Sequence, residues 1–288
     1  MLHAIANPAA GSGLGRKLGR QLHRTLEEKH IAHKIEETAS PGHATVLSRQ
    51  AALCGADTVL SVGGDGTALE VARGLMGTEC ALGLIPAGTG NDFRKTLGIS
   101  KDPDAALETV LTKKPLPTDA GLINGELFLN EIGSGFDVAV LDYANKAKKY
   151  CKGLLPYLYG VLCALFRFQP IPVTYQIDGG PQQKKDLFVI AAANGGIIGG
   201  GIVIAPDARA DDGLLDIIIV DKIKRYKLPL RLIGLLRGKI LSFPETHFVR
   251  ASSLSFSSPG MRLNVDGEMI TADTAQVEIL PGALKIHR

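Results

Sequence analysis

Three times in its first hundred residues the chain passes from a short apolar strand through a glycine-bearing turn into a helical pattern, and this repetition constrains the fold more than any other feature. Leu2 to Ala6 leads into Asn7-Pro-Ala-Ala-Gly-Ser-Gly13, and then into a segment with Leu14, Leu18, Leu22 and Leu26 on one helical stripe. Thr58 to Val62 leads into Gly63-Gly-Asp-Gly-Thr67 and an opening helix. Leu82 to Ile85 leads into Pro86-Ala-Gly-Thr-Gly-Asn-Asp92 and a short helical stretch with Phe93 and Leu97. Strands joined through helices pair in parallel, and the carboxyl ends of such strands share one edge of an open sheet. The three turns are therefore expected to line one crevice.

The turn at residues 63–67 also carries chemistry. Bare amides at a helix N-terminus attract anions, and glycines let a phosphate approach the backbone closely. Asp65 among them would repel that phosphate, so a cation must mediate. Mg²⁺ suits the role because it binds through one or two carboxylates plus phosphate oxygens. An Asp-Gly pair is also a common turn dipeptide, and on this stretch alone the two readings weigh equally. Neither standard phosphate motif fits: Gly11-Ser-Gly-Leu-Gly-Arg-Lys17 is no GxxxxGK[ST], and Arg16 stands where the third glycine of GxGxxG belongs.

At 288 residues the chain exceeds what one compact core usually holds. Two domains are expected, 1–118 and 119–288, divided at the proline-punctuated stretch Lys113-Lys-Pro-Leu-Pro-Thr118. Beyond it, Leu127 to Leu129, Val173 to Ile177, Leu187 to Ala192, Leu215 to Val220, Leu254 to Phe256 and Gln276 to Leu280 are short β-type runs between turn signals. Their spacing predicts a sandwich. The expected fold is an α/β nucleotide-binding domain with a parallel sheet, followed by a β-sandwich-like domain whose last residues are free to pack back on the first.

The formal net charge of +3 is too small for a nucleic-acid binder, so no nucleic-acid partner is expected. Cys54, Cys80, Cys151 and Cys163 lack metal-type spacing and fit a reducing cytosol. The chain opens on a strand without the charged region and apolar core of a secretion signal, which predicts a cytoplasmic protein with Met1 as its mature start. Leu154 to Phe168 is shorter than the roughly 20 residues that span a bilayer and contains Pro156. Lys146, Lys148, Lys149 and Lys152 precede it, and a second basic amphipathic segment runs from Lys222 to Lys239. Either has the composition to lie on an anionic membrane. Each taken alone reads better as a surface helix whose apolar stripe packs on the domain and whose lysines are solvated.

Asn7-Pro-x-x-Gly11, Gly63-Gly-Asp-Gly-Thr67 and Pro86-x-Gly-Thr-Gly-Asn-Asp-Phe93, in this order and spacing, resemble the catalytic domain of the diacylglycerol kinase family, in particular its soluble bacterial lipid-kinase branch. The resemblance continues through Phe128-x-Asn130, Gly133-x-Gly-Phe-Asp137, Asn194, Gly199-Gly-Gly201, Ala205-Pro206, Asp212-Gly-x-Leu-Asp216 and Asn264-x-Asp-Gly-Glu268. It covers nearly the whole chain. Gly-Gly-Asp-Gly-Thr is shared with NAD kinases and phosphofructokinases, so the ordered set, not one motif, is specific.

The resemblance implies an active site between an α/β domain and a β-rich domain. It implies ATP contacts from Asn7, Pro8, Ala9, Ala10, Gly11, Thr38, Gly64, Asp65, Gly66, Thr67, Ala68, Leu69, Glu70 and Thr89. Asp65 would neutralise charge together with Mg²⁺, and Asp119 matches a family aspartate in the metal and water network. Pro206 to Asp216 holds four carboxylates, which repel unless solvated or bridged by a cation. By resemblance a structural Mg²⁺ sits there on the side chain of Asp212 and the carbonyls of Arg209 and Leu214, with Asp211 as an outer contact. Phosphoryl transfer also needs a hydroxyl deprotonated as it attacks. Asp266-Gly-Glu268 brings two carboxylates to a strand end; the family favours Glu268, Asp266 orients it or shares the proton, and the sequence does not choose. Leu69 departs from the pattern, because many relatives carry asparagine there. His30 and His33 are expected to be solvent-exposed, not metal ligands.

The expectation is thus an ATP- and Mg²⁺-dependent lipid kinase acting on diacylglycerol or a related lipid to give a phospholipid such as phosphatidate. The lipid would be met at a membrane surface, by peripheral contact at the inner face, and a homodimer stays open. The rivals are an NAD kinase, which Leu129-Asn-Glu131 brings to mind and Asn7-Pro8 and Asp266-Gly-Glu268 oppose, and a non-catalytic nucleotide or lipid sensor.

Overall fold

The computed structural model describes residues 1–147, 149–150 and 155–288. Lys148, Cys151, Lys152 and Leu154 lie outside the described residues. The first half alternates strands and helices: β1 (Leu2–Ala6), α1 (Leu14–Glu28), β2 (His33–Glu37), α2 (His43–Leu53), β3 (Thr58–Gly63), α3 (Asp65–Leu75), β4 (Ala81–Pro86), α4 (Asp92–Thr96) and α5 (Pro103–Thr112). The four strands pair in parallel in the order β4-β3-β1-β2. β3 and β4 are buried at every residue, which explains why apolar residues dominate both, with Thr58 and Ser61 the polar exceptions in β3. α1 turns Leu18, Leu22 and Leu26 into the core against Ala4 and Ile5, as its stripe demands. α5 begins where Asp102 accepts the amides of Asp104 and Ala105 and Pro103 takes the first turn.

The second half is mostly strand: β5 (Leu116–Ile123), β6 (Glu126–Phe128), β7 (Glu131–Gly135), α6 (Phe136–Ala147), α7 (Leu155–Arg167), β8 (Ile171–Ile177), β9 (Gln183–Ala193), β10 (Ile197–Ile198), β11 (Ile202–Val203) and β12 (Leu215–Asp221). It ends with α8 (Leu228–Leu236), β13 (Thr246–Ala251), β14 (Ser253–Ser257), β15 (Arg262–Val265), β16 (Glu268–Thr271) and β17 (Thr274–Ile286). The expected α/β half and sandwich-like half are both present. Alternation on β12 shows how the second core is built. Leu215, Ile217 and Ile219 enter the sandwich interior with Leu187, Leu254 and Val277. Ile218 and Val220 face the other way, into a cluster with Phe136, Ala164, Phe188 and Leu228 that seats α6, α7 and α8.

The expected linker at Lys113 to Thr118 is corrected by the structure, because Leu116 to Thr118 already belongs to β5 and pairs with Ile286 to Leu284 of β17. Pro117 is tolerated because β6 covers the other side of β5 only at Gly121 to Ile123, so no ladder hydrogen bond is lost there. β17 joins the halves. It pairs with β14 and β5 and then, at Ile286, with Leu82 of β4, while His287 donates its amide to Leu82 and faces Thr58 Oγ1 at 3.1 Å. One main sheet of fifteen strands results.

Asp119 holds this junction. It is buried, and its two oxygens accept the amides of Gly213 and Gly282, both at 2.7 Å. The Asp119 carboxylate therefore locks the loop before β12 to the bulge in β17, each oxygen accepting one amide. Losing an acceptor from a buried amide costs roughly 1–3 kcal/mol. Asp119→Ala should lower unfolding stability by about twice that single-amide cost, read as a shifted urea midpoint at unchanged slope.

Candidate active site

The three glycine turns do converge. A Cβ on Gly88 would lie 2.4 Å from Gly64 Cα, and one on Gly11 would lie 2.2 Å from the Ala87 carbonyl oxygen. Only glycine permits that approach, and Gly11 also has a left-handed φ of 56°. Asn7 ties the first turn to the second by donating from Nδ2 to Thr67 Oγ1 at 3.1 Å, and its Oδ1 accepts the Ala9 amide. Pro8, Ala10, Gly64 and Asp65 are half-buried around this edge, and Ala9, Gly11, Gly66 and Thr89 are exposed. Thr38, just past β2, joins the same edge, with its amide on Ala6 O.

Three expected nucleotide contacts are placed elsewhere. Ala68 and Leu69 point into the hydrophobic core, Leu69 being 2% exposed. Leucine instead of asparagine therefore adds core packing and offers the nucleotide no side chain. Glu70 Oε2 accepts the Ala44 amide, so its carboxylate serves the N-terminus of α2.

Facing the turns is a group of acids that the sequence reading had only partly assigned. Asp65 Oδ1 accepts the Phe93 amide at 3.3 Å, and burial, followed by the charge of Asp92, holds its carboxyl above the usual carboxylate range. Asp92 pairs with Lys95 at 2.8 Å and accepts the Gly200 amide at 2.7 Å from the tip of the β10–β11 hairpin. Glu131 is buried and pushed well up, first by desolvation and then by Asp137, Asp266 and Asp92. Burial pushes Asp137 to about 6, and neither of its oxygens has a hydrogen-bond partner among the described residues. A Cβ on Gly133 would sit 3.0 Å from Asp137 Oδ2 and 3.4 Å from Glu131 Oε2, so a bare glycine makes room for both acids. Asp92, Glu131 and Asp137 received no role from the sequence. Their signal was present in Asn91-Asp92, Asn130-Glu131 and Gly-Phe-Asp137, but charge clustering appears only once β7, α4 and α6 meet.

Asp266 and Glu268 are distinguished by the turn between them. Asp266 and Gly267 have φ of 49° and 91°, and Val265 pairs with Glu268, making a tight two-residue hairpin. Asp266 turns inward: Oδ2 accepts the Leu129 amide at 2.6 Å, and Oδ1 accepts those of Asn130 and Glu131 at 2.9 Å each. Burial still pushes its carboxyl up to about 6. Glu268 is exposed at the start of β16. Asn264 completes the wall, donating to Glu131 Oε1 at 2.8 Å and accepting from Gly267.

The acidic loop before β12 is arranged otherwise than expected. Asp211 is held between Arg209 and Arg288, and Arg250 pairs with Asp216 at 3.0 Å. Guanidinium groups thus pair with two of the four acids, Asp211 and Asp216. Asp212 is exposed, and its Oδ1 accepts the Leu214 amide at 3.1 Å. Among the described residues no group of three or more His, Cys, Asp or Glu side chains is arranged to hold a metal. His33 is half-buried, 2.8 Å from His23.

Set beside known proteins, residues 1–123 match the diacylglycerol kinase catalytic domain, and residues 130–288 match the YegS C-terminal NAD kinase beta sandwich-like domain. The chain belongs to the diacylglycerol kinase family and is an enzyme of the lipid-kinase class. It is 31% identical to a diacylglycerol kinase of Mycobacterium tuberculosis, over 99% of this chain and 94% of that protein. A diacylglycerol kinase of Bacillus subtilis is 32% identical over 92% of this chain and 88% of its own length. A crystal structure of a diacylglycerol kinase from Bacillus anthracis superposes with a TM-score of 0.80 at 26% identity, covering 99% of this chain and 96% of that one. No described helix is long and apolar enough to cross a membrane.

The buried acids set a pH dependence. Asp137 moves from 3.8 to about 6 on folding, so the native state binds the extra proton and this carboxyl's contribution to stability is lost as pH rises from about 4 through 6. Asp137→Asn removes that penalty and should stabilise the metal-free protein at neutral pH by up to about 3 kcal/mol. The gain should shrink as pH falls from 6 towards 4, measured by thermal melts across that range.

Proposed function

We propose that this lipid kinase transfers the γ-phosphoryl group of ATP, with Mg²⁺, to a free hydroxyl of diacylglycerol or a closely related lipid, giving phosphatidate in the simplest case. The observation that carries this reading is the meeting of the glycine turns with the acid wall. Asp92 of the third turn receives the Gly200 amide from the second half, and Asp65 lies close enough to Asp92 for the two charges to raise its proton affinity. The names of the relatives support the lipid acceptor.

The donor set around Asp65 fits a magnesium ion. Two carboxylates converge, Asp92 also pairing with Lys95, and a Cβ on Gly90 would come within 3.0 Å of Asp65 Oδ2, so the missing side chain leaves the space open. Asp65 and Asp92 would hold the ion, which when bound neutralises phosphate charge. The turns at Asn7 to Gly11, Gly64 to Thr67 and Gly88 to Gly90 position the phosphates with backbone amides. Glu268 takes the proton from the attacking hydroxyl, because its carboxylate is exposed and Asp266 is committed to three amides. Asp266 then acts as a positioning residue, holding the hairpin that presents Glu268 against the 129–131 segment.

Incubation with radiolabelled ATP and a panel of lipids, with NAD as a further acceptor, tests the reading. Label in phosphatidate supports it, whereas label only in NADP overturns it. Asp65→Asn should keep the fold and lower turnover by roughly 10²–10³-fold or more, since the site loses its fixed negative ligand. Near-normal turnover at saturating Mg²⁺ would make Asp65 a mere turn residue.

Glu268→Gln should lower turnover by about 10²–10⁴ with melting temperature and ATP affinity unchanged. Asp266→Asn should lower stability as well as turnover, because an amide meets three N–H donors less well than a carboxylate. Unchanged turnover in both folded variants would move the base elsewhere.

A further inference from the structure

α7 is amphipathic in the sense opposite to that of a water-facing helix. Leu155, Leu158, Tyr159, Leu162 and Phe166 fall three, four, seven and eleven residues apart on one face, and all are exposed, Phe166 by 74%. The opposite face is small. Ala164 is buried, and a Cβ on Gly160 would come within 2.4 Å of the Val140 carbonyl oxygen, so α7 lies tightly against α6 by its least bulky side. No charged residue interrupts Leu155 to Phe166.

α8 repeats the arrangement. Leu230, Ile233 and Leu236 are exposed, and Tyr226 stands 76% exposed just before them. The helix's one charge, Arg231, is turned inward onto the Phe243 ring and pairs with Glu245 at 2.9 Å. Leu228 and Leu235 pack into the same cluster as Ala164 and Leu165. Thus the expectation that these segments bury their apolar stripes is corrected: both helices rest on one cluster by one side and leave a second row of large apolar side chains outside.

We propose that the outer faces of α7 and α8 form one docking surface that inserts into the headgroup region of an anionic lipid bilayer. Three features select that occupant. From Lys222 to Lys239 the chain carries seven basic residues and no acidic one, and Lys222, Lys224, Arg225, Arg237 and Lys239 are exposed without an ion pair among the described residues. Lys146 in the last turn of α6 and Lys149 just after it are also exposed. Apolar side chains rimmed by unpaired cations match acyl chains beneath anionic headgroups. A second copy of this chain is disfavoured, since a two-fold contact would bring these like charges together. Finally, the surface is continuous with the site: α8 packs on β11, and the hairpin of β10 and β11 delivers the Gly200 amide to Asp92. The inference rests on the proposed reading only in taking the bilayer as the source of the acceptor.

Co-flotation with vesicles, without ATP, tests it. The wild-type chain should float with mixed phosphatidylglycerol–phosphatidylcholine vesicles, weakly with phosphatidylcholine alone, and less as salt is raised. The double variants Leu158→Gln with Phe166→Gln, and Leu230→Gln with Ile233→Gln, should each lower partitioning by about tenfold or more. Their melting temperatures and their turnover on a water-soluble short-chain diacylglycerol should not change.

Wild type that fails to float, flotation indifferent to anionic lipid, or double variants that float as well as wild type would overturn the proposal. So would a solution dimer, seen by sedimentation, that both double variants abolish while vesicles go unbound. If flotation behaves as expected and no lipid is phosphorylated, the docking surface stands and the kinase chemistry proposed for this chain falls.

Discussion

The arrangement of the cleft depends on the buried carboxylate of Asp266. Its two oxygens gather the amides of Leu129, Asn130 and Glu131, and through them it fixes a segment with three further contacts. Asn130 donates to Ile197 O, Asn194 donates to Leu129 O, and Glu131 accepts from Asn264. The β10–β11 hairpin, the end of β9 before it and the Asp-Gly hairpin are thereby held in one frame around a single acid. Hydrogen bonds to a charged group are worth about 1.5–3 kcal/mol each, which is what it takes to keep a carboxylate out of water. An Asp-Gly turn was the mundane alternative for this motif. It is a turn and an anchor together.

Around that anchor the protein gathers negative charge. Asp65, Asp92, Glu131, Asp137 and Asp266 influence one another, and burial works against the ionised form of each of the four whose proton affinity is raised: Asp65, Glu131, Asp137 and Asp266. Packing alone would select against such a group. Its cost makes sense where the partner is a cation or a hydroxyl proton, because pre-set acids need no reorganisation when charge develops. Elsewhere acids are balanced conventionally. The loop before β12 uses Arg209, Arg250 and Arg288, so charge left unbalanced in the cleft is a local property of the site.

Hydrophobic side chains divide on the same logic. The α/β half and the sandwich bury theirs, whereas α7 and α8 seat Ala164, Leu165, Leu228 and Leu235 on the protein and leave a second set of large apolar side chains exposed. A stripe of leucines on a helix normally faces the core, since that removes the most apolar area from water. Here close approach settles which side of each helix faces inward, Gly160 on the Val140 carbonyl and Gly234 under the Phe243 ring, and the row of large residues on the other side is left outward. Periodicity reported an amphipathic helix correctly but carried no sign for which side meets the protein.

The order of glycine turns, the parallel strands behind them and the β-rich second half were legible in the sequence, because each rests on local rules: period, turn chemistry and the steric freedom of glycine. Asp65 and Glu268 were legible as candidates for the same reason, each standing in a turn at a strand end. What local rules could not supply was long-range. Asp119 lies beside Gly213 and Gly282, and Asp92 beside Gly200, only after the strands that carry or precede them have joined one sheet. Leu69 and Glu70 fell inside a motif and so were read as site residues, yet the helix turns one into the core and the other onto α2. The sequence by itself determined which backbone conformations the turns adopt. Tertiary structure alone decided which carboxylates share a cleft, because desolvation and charge repulsion depend on distances between residues that are far apart in the chain.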